Sequence, residues 1–201
     1  MKKWNTPNKI TFARILAVPI NMVILMLPES VLPFIVTRGI AGIVFIITAF
    51  TDMLDGRIAR KYNLVTDFGK FLDPIADKIM VTGVMLCIIM RCEELRYLFF
   101  IATFVVIFRE FAVTSMRLIM ANNNTVIAAS KIGKIKTVVQ IVSIACALLE
   151  PVLYHLLGIS DVEVFKHLPL TWISTLLAIL FTVISGVDYI AKYWKYLDPE
   201  K

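Results

Sequence analysis

Apolar residues run in long blocks separated by short polar segments, approximately Ile10–Leu27, Gly39–Ala59, Leu72–Met90, Tyr97–Ile119, Val138–Leu157 and Leu170–Tyr189. Each block is close to the ~20 residues that cross a hydrocarbon core. Within lipid the backbone must satisfy its own hydrogen bonds, so every block is predicted to be a helix. The pattern predicts an all-α integral membrane protein, a six-transmembrane-helix bundle. One transmembrane domain is expected to cover residues 1–201, with no soluble domain before or after it, and no internal repeat is visible in the sequence. The first block follows three lysines but has no small-residue cleavage site, so it reads as a retained helix rather than a signal peptide.

Composition sharpens this picture. Hydrophobic residues make up 59% of the chain and the mean hydropathy is +0.80, well above a soluble domain of roughly 45–50% apolar residues. The net charge of +6 suits anionic lipid headgroups or anionic substrates rather than nucleic acid. Of the 21 lysines and arginines, Arg38, Arg91, Arg96 and Lys166 fall in segments predicted to lie outside. Arg14 and Arg109 fall within the apolar blocks. All the others fall in segments predicted inside, so both termini are expected in the cytoplasm. Trp4, Trp172 and Trp194 fall near the expected interfaces. Cys87, Cys92, Cys146, His155 and His167 have neither disulfide nor metal-ligand spacing and are given no role.

The chemistry concentrates in Thr51–Lys78, TDMLDGRIARKYNLVTDFGKFLDPIADK. Asp52, Asp55, Gly56 and Ala59 recur at i, i+3, i+4 and i+7, one face of a helix. Gly69, Asp73 and Asp77 recur at i, i+4 and i+8 on the next. The two helices are expected to be antiparallel neighbours whose acidic faces meet at the cytoplasmic side. Four carboxylates together repel unless neutralised, and hard divalent cations with oxygen ligands are the natural partners. Two such ions, Mg²⁺ or Mn²⁺, would clamp the attacking and leaving oxygens of a displacement at phosphorus. The small residues Gly56, Ala59 and Gly69 leave room for a flat ligand such as a nucleotide. Arg60 would fork onto a diphosphate.

Asp52-x-x-Asp55-Gly56-x-x-Ala59-Arg60, eight residues, then Gly69-x-x-x-Asp73-x-x-x-Asp77 resembles, position for position, the signature of the CDP-alcohol phosphotransferase family. The resemblance implies a six-helix membrane domain, typically a homodimer, that transfers a group from a CDP-linked donor to an alcohol and releases CMP. It implies that Asp52, Asp55 and Asp73 ligate two divalent metal ions, with Asp77 at the edge of that site and acting as general base. It further implies that Gly56, Ala59 and Gly69 line a cytidine pocket and that Arg60 holds the diphosphate.

Two more stretches bear on the alcohol. Arg109-Glu110-Phe-Ala-Val-Thr-Ser-Met-Arg117 places two arginines eight apart on one face of the fourth helix. Arg109 is expected about ten residues from the inner helix end, or ~15 Å along the axis, and needs a partner at that depth. That partner is either an acid on another helix or an anionic ligand. Glu110 is expected to point elsewhere, since adjacent residues do not share a helix face. Ser130-Lys131-Ile-Gly133-Lys134-Ile-Lys136 opens the fifth helix as either a phosphate site or plain topogenic charge. These stretches, with Pro7-Asn8-x-x-Thr11-x-x-Arg14 on the first helix and Ser185-Gly186-x-x-Tyr189 on the last, are similar to members of the family that use glycerol 3-phosphate. That similarity implies CDP-diacylglycerol as donor. It implies Arg109, Arg117, Lys134 and Lys136 as acceptor-phosphate ligands, and Asn8 and Thr11 beside the nucleotide. Asn8 also suits a helix cap. Serine, inositol phosphate or phosphatidylglycerol as acceptor, an ion path through the aspartates, and a purely structural scaffold are the alternatives.

Overall fold

A computed structural model describes residues 6–61, 66–122, 131–160, 162 and 167–194; at positions 6–9, 52–61, 67, 68, 70, 121, 122 and 131 it describes the backbone alone. The described residues form α1 (Thr6–Met26), α2 (Phe34–Lys61), α3 (Asp67–Arg91), α4 (Arg96–Asn122), α5 (Lys131–Leu156) and α6 (Pro169–Tyr193). A single 3₁₀ turn, Glu93–Leu95, joins α3 to α4. No strand occurs among them. The fold is an all-α membrane bundle, as the hydrophobic pattern predicts.

Four segments are long and apolar enough to cross a bilayer: Phe34–Thr51, Glu93–Met120, Ile132–Leu156 and Pro169–Tyr193. Ile10–Met26 of α1 is apolar but shorter. The opening half of α3 carries Asp67, Lys70, Asp73, Asp77 and Lys78, which keeps its hydropathy below that of a full span.

The helices pack in a ring in the order α1, α2, α5, α6, α4, α3 and back to α1, with α3 also touching α5 across the centre. The expectation that α2 and α3 are simple neighbours is therefore modified. Among the described residues, α2 packs most extensively on α1 and α5, so that α1 lies against both helices of the acidic motif. Fully buried Phe45, Ile88, Phe99, Ala147 and Leu148 fill the middle. Small residues let backbones approach, as in membrane bundles generally. A Cβ on Gly42 would sit 2.5 Å from Leu149 Cδ2, and one on Gly83 would sit 2.9 Å from Met22 Sδ. Phe100, Phe104, Phe108 and Phe111 form an exposed stripe along α4, the apolar surface that a helix presents to lipid.

Polar groups inside the bundle are paired across helices. Gln140 donates to Thr182 at 3.1 Å, and the Ser143 and Thr175 hydroxyls lie 2.7 Å apart, tying α5 to α6. At the end of the bundle remote from Asp73 and Asp77, Arg38 donates to Glu94 at 2.7 Å and to the Ala147 carbonyl at 2.7 Å. The start of α6 shows the clearest local logic. Leu168 precedes it with φ 48° and no side-chain cap, and Pro169 opens the helix, a position where its missing N–H costs nothing. The remaining helix-start donors go to buried Glu150 of α5. It accepts from Leu170 N at 3.0 Å, Thr171 N at 2.7 Å, Thr171 Oγ1 at 2.6 Å and the Tyr154 hydroxyl at 2.6 Å.

Glu150→Ala would leave the buried Thr171 N–H and the part-buried Leu170 N–H without that acceptor. Thermal unfolding in detergent is expected to show a loss of about 2–3 kcal/mol. An unchanged melting temperature would refute the capping role.

Candidate functional site

The site grows from a match between two parallel helices. Thr11 and Arg14 are three apart on α1, and Asp73 and Asp77 are four apart on α3, so each pair shares a face. Thr11 Oγ1 donates to Asp73 Oδ1 at 3.0 Å. Arg14 Nη1 donates to Asp77 Oδ1 at 3.1 Å. The Arg14 side chain is 1% exposed, whereas that of Asp77 is 51% exposed. A buried guanidinium thus steadies a carboxyl group that opens onto accessible space. Thr66 caps α3 by accepting from Gly69 N at 3.0 Å, fixing where the helix begins and hence the rotation of Asp73 and Asp77.

The backbone of α2 continues in helical register from buried Ala41, Phe45 and Thr48 through Asp52 and Asp55. The side chains of Asp52, Asp55, Ala59 and Arg60 lie outside the described residues, as does any contact at Gly56, and the side chain of Asn8 does too. Gly69 is buried. Thr11, expected beside a nucleotide, is placed on Asp73. Among the described residues no three His, Cys, Asp or Glu side chains gather into a metal site. Asp73 and Asp77 are the described half of the expected four-carboxylate set. Their donors are hard oxygens, the chemistry that suits Mg²⁺ or Mn²⁺.

A second polar group lies on the neighbouring side of α3. Lys78 Nζ donates to Thr114 Oγ1 of α4 at 3.0 Å. One turn earlier on α4, Glu110 binds both Arg109, at 2.9 Å from Nη1, and Lys136 Nζ of α5. Arg109 Nη2 donates to Ser185 of α6 at 2.9 Å. The expectation that Glu110 points away from Arg109 is overturned. Helix spacing governs where Cβ atoms point, and two long side chains on adjacent positions can both swing toward the bundle interior. The acid linking α4 to another helix is Glu110, not a distant partner of Arg109. Arg109 also sits deeper than expected. It is the central residue of Arg96–Asn122, ~20 Å from either helix end at 1.5 Å per residue.

The four expected acceptor-phosphate residues are not all brought together. Arg109 and Lys136 meet through Glu110 and are nearly buried, with side chains 11% and 6% exposed. Arg117 lies two turns along α4, over the ring of Tyr189 at 5.8 Å and donating to its hydroxyl at 3.4 Å. Lys134 is exposed. Arg109 Nε is buried with no hydrogen-bond partner among the described residues, at a cost of roughly 1–3 kcal/mol. The closing Ser185-Gly186-x-x-Tyr189 now has a physical reading. Ser185 accepts from Arg109, Tyr189 holds Arg117, and Gly186 leaves room for the arginine stem, since a Cβ there would lie 3.3 Å from Arg109 Cγ.

Sequence reasoning gave no role to Arg14, Lys78 or Glu110. Arg14 carried a signal, a cation within an apolar block. In the sequence Lys78 is indistinguishable from any positive-inside lysine, and helix-face spacing alone points Glu110 away from Arg109.

The CDP-alcohol phosphatidyltransferase family model matches residues 4–184. The chain is 40% identical over 203 residues to the CDP-diacylglycerol–glycerol-3-phosphate 3-phosphatidyltransferase of Bacillus subtilis (strain 168), covering 96% of this chain and 97% of that protein. It is 31% identical to the protein of the same name from Rickettsia felis, over 96% and 97% of the two chains. With the Escherichia coli (strain K12) protein of that name, identity is 33% over 74% and 79%.

Gly186→Val would drive a branched side chain into the Arg109 stem. We expect a stability loss of about 1–3 kcal/mol, as for overpacked cores, read from thermal unfolding. A variant as stable as the parent would show that Arg109 can move aside freely.

Proposed function

This chain belongs to the CDP-alcohol phosphatidyltransferase family, and we propose that it transfers the phosphatidyl group of CDP-diacylglycerol to glycerol 3-phosphate, giving phosphatidylglycerol phosphate and CMP. The observation that carries the acceptor assignment is the paired arrangement on α3. Asp77 is steadied by Arg14, and its neighbour Lys78 leads toward buried Arg109 and Lys136. An acceptor with a hydroxyl at one end and a phosphate at the other fits a carboxyl group beside a cationic group. Serine would leave those cations without that use, and phosphatidylglycerol would offer them only a singly charged diester. Inositol phosphate shares the charge and differs in bulk.

The chemistry follows from these residues. The acceptor hydroxyl oxygen attacks the donor's β-phosphorus, a new P–O bond forms, and the P–O bond to CMP breaks. Asp77 takes the hydroxyl proton, the task of a base within hydrogen-bond reach. Arg14 fixes the direction of that carboxyl group, and Thr11 does the same for Asp73. Two divalent metal ions, Mg²⁺ or Mn²⁺, held by Asp52, Asp55, Asp73 and Asp77, would supply neutralisation of the charge on the diphosphate. Gly56, Ala59 and Gly69 would admit the cytidine, with Asn8 at its border and Arg60 on the diphosphate. Arg109 and Lys136 would face the acceptor phosphate, with Arg117 and Lys134 guiding it inward.

In the same reading the protein crosses a bacterial cytoplasmic membrane six times as a homodimer, with its termini and site on the cytoplasmic side. The crowding of Lys and Arg into the corresponding segments supports that orientation.

Purified protein supplied with CDP-diacylglycerol, Mg²⁺ or Mn²⁺ and one alcohol at a time should release CMP with glycerol 3-phosphate. Release with serine or inositol phosphate instead would overturn the acceptor assignment. Asp77→Asn should lower turnover by roughly 10²–10⁴-fold, the range for loss of a general base; the Asn amide oxygen can still accept from Arg14, so the variant should fold, with a melting temperature below that of the parent because buried Arg14 loses its counter-charge. Near-normal turnover would remove Asp77 from the mechanism.

A further inference from the structure

We propose that Lys78 is an acceptor-binding residue, a third cation that joins Arg109 and Lys136 around the phosphate of the acceptor and holds that phosphate beside the base on the preceding residue. This rests on the reading that the acceptor is a phosphate-bearing alcohol activated at Asp77.

Three observations carry it. First, Lys78 does not extend into solvent as an ordinary positive-inside lysine would. It is partly buried and reaches across to α4, where Thr114 Oγ1 accepts at 3.0 Å. An ammonium group has three donors and a hydroxyl is a weak partner for it. Second, Thr114 stands one turn from Glu110, the residue that gathers Arg109 and Lys136. Lys78 is close enough to Lys136 for their charges to repel. Third, the charges do not balance among the described residues. Lys78, Lys136 and Arg109 contribute three positive charges and Glu110 one negative, a net of two positive among groups that are partly or nearly buried. Like charges are brought together this way at a cost unless an anion joins them. A phosphate monoester carries about −1.5 to −2 at neutral pH, which matches the imbalance. Buried Arg109 Nε, without a partner among the described residues, is a donor awaiting such an acceptor.

Geometry adds selectivity. Asp77 and Lys78 are consecutive, so their stems leave α3 about 100° apart. Asp77 is turned to α1 and Lys78 to α4. A small acceptor lying between them would present its hydroxyl to one residue and its phosphate to the next.

The rival explanation is that Lys78 and Thr114 merely tie two helices together. The full-length protein, in detergent with added lipid, separates the two. CMP release is measured against glycerol 3-phosphate at saturating CDP-diacylglycerol and then the reverse, alongside thermal unfolding. Lys78→Met and Lys78→Gln should raise the KM for glycerol 3-phosphate roughly 10- to 100-fold, the equivalent of one charge-assisted hydrogen bond. The KM for CDP-diacylglycerol should stay within about twofold. Lys78→Arg should recover most of the loss. Thr114→Ala, which removes the tie and keeps the charge, should retain an acceptor KM near that of the parent. The proposal is overturned if Thr114→Ala reproduces the lysine variants, or if both KM values rise together. Should Lys78→Met fail to fold, the Arg and Thr114 variants still decide between a charge and a tie. Failure of the acceptor assignment looks different, because the unmodified protein would then release CMP with another alcohol and not with glycerol 3-phosphate.

Discussion

Charge placed within an apolar bundle has to be matched by charge or by strong donors, and most of this molecule's internal architecture follows from that constraint. Arg14 lies among apolar neighbours on α1 and is accommodated because Asp77 of α3 receives it. Arg109 stands at the centre of α4 and is accommodated by Glu110 and Ser185. Glu150, nearly buried on α5, is satisfied by the unpaired N–H groups at the start of α6. In water each of these contacts would be worth little. In lipid the alternative is an unpaired charge, so the pairs determine which helices adjoin and at what rotation.

That constraint gives α1 a place in the site that its own sequence hardly advertises. It carries no acid in its described part, yet it lies against both α2 and α3 and supplies the donors that orient Asp73 and Asp77. Because α1 and α3 run in the same direction, a three-residue step on one meets a four-residue step on the other, and both contacts form without bending either helix. The long Arg14 side chain absorbs the difference in register. The acidic helix is therefore held by α1 on the face adjacent to the one that Lys78 turns to α4, and both of these faces are set by neighbouring helices.

Much of this was legible in the chain itself. The apolar blocks yielded the helices, because hydrocarbon thickness and backbone satisfaction leave few alternatives. The spacing of Asp73 and Asp77 put them on one face, and α3 keeps them there. Contacts were harder to read, for a specific reason. Periodicity states where a Cβ points and says little about where a long side chain ends. Glu110 shows this, since its Cβ direction argued against Arg109 and its carboxyl group nevertheless meets it. Lys78 shows it too, as a lysine near the middle of α3 that turns inward to Thr114. The ring order was also hidden, because loop length implies adjacency while interhelical pairing decides it.

The position of Lys78 ties these threads together. A transferase for a small acceptor has to control the distance between the group that activates the hydroxyl and the group that anchors the rest of the molecule. If those two groups sat on separate helices, thermal sliding of one helix past the other would blur that distance. In the proposed arrangement both are on α3, as consecutive residues of one hydrogen-bonded helix, and the cap at Thr66 sets the rotation of both together. Movement of α3 would then carry base and anchor as a unit. The helices around it, such as α1 through Arg14, would need only to hold α3 in one rotation.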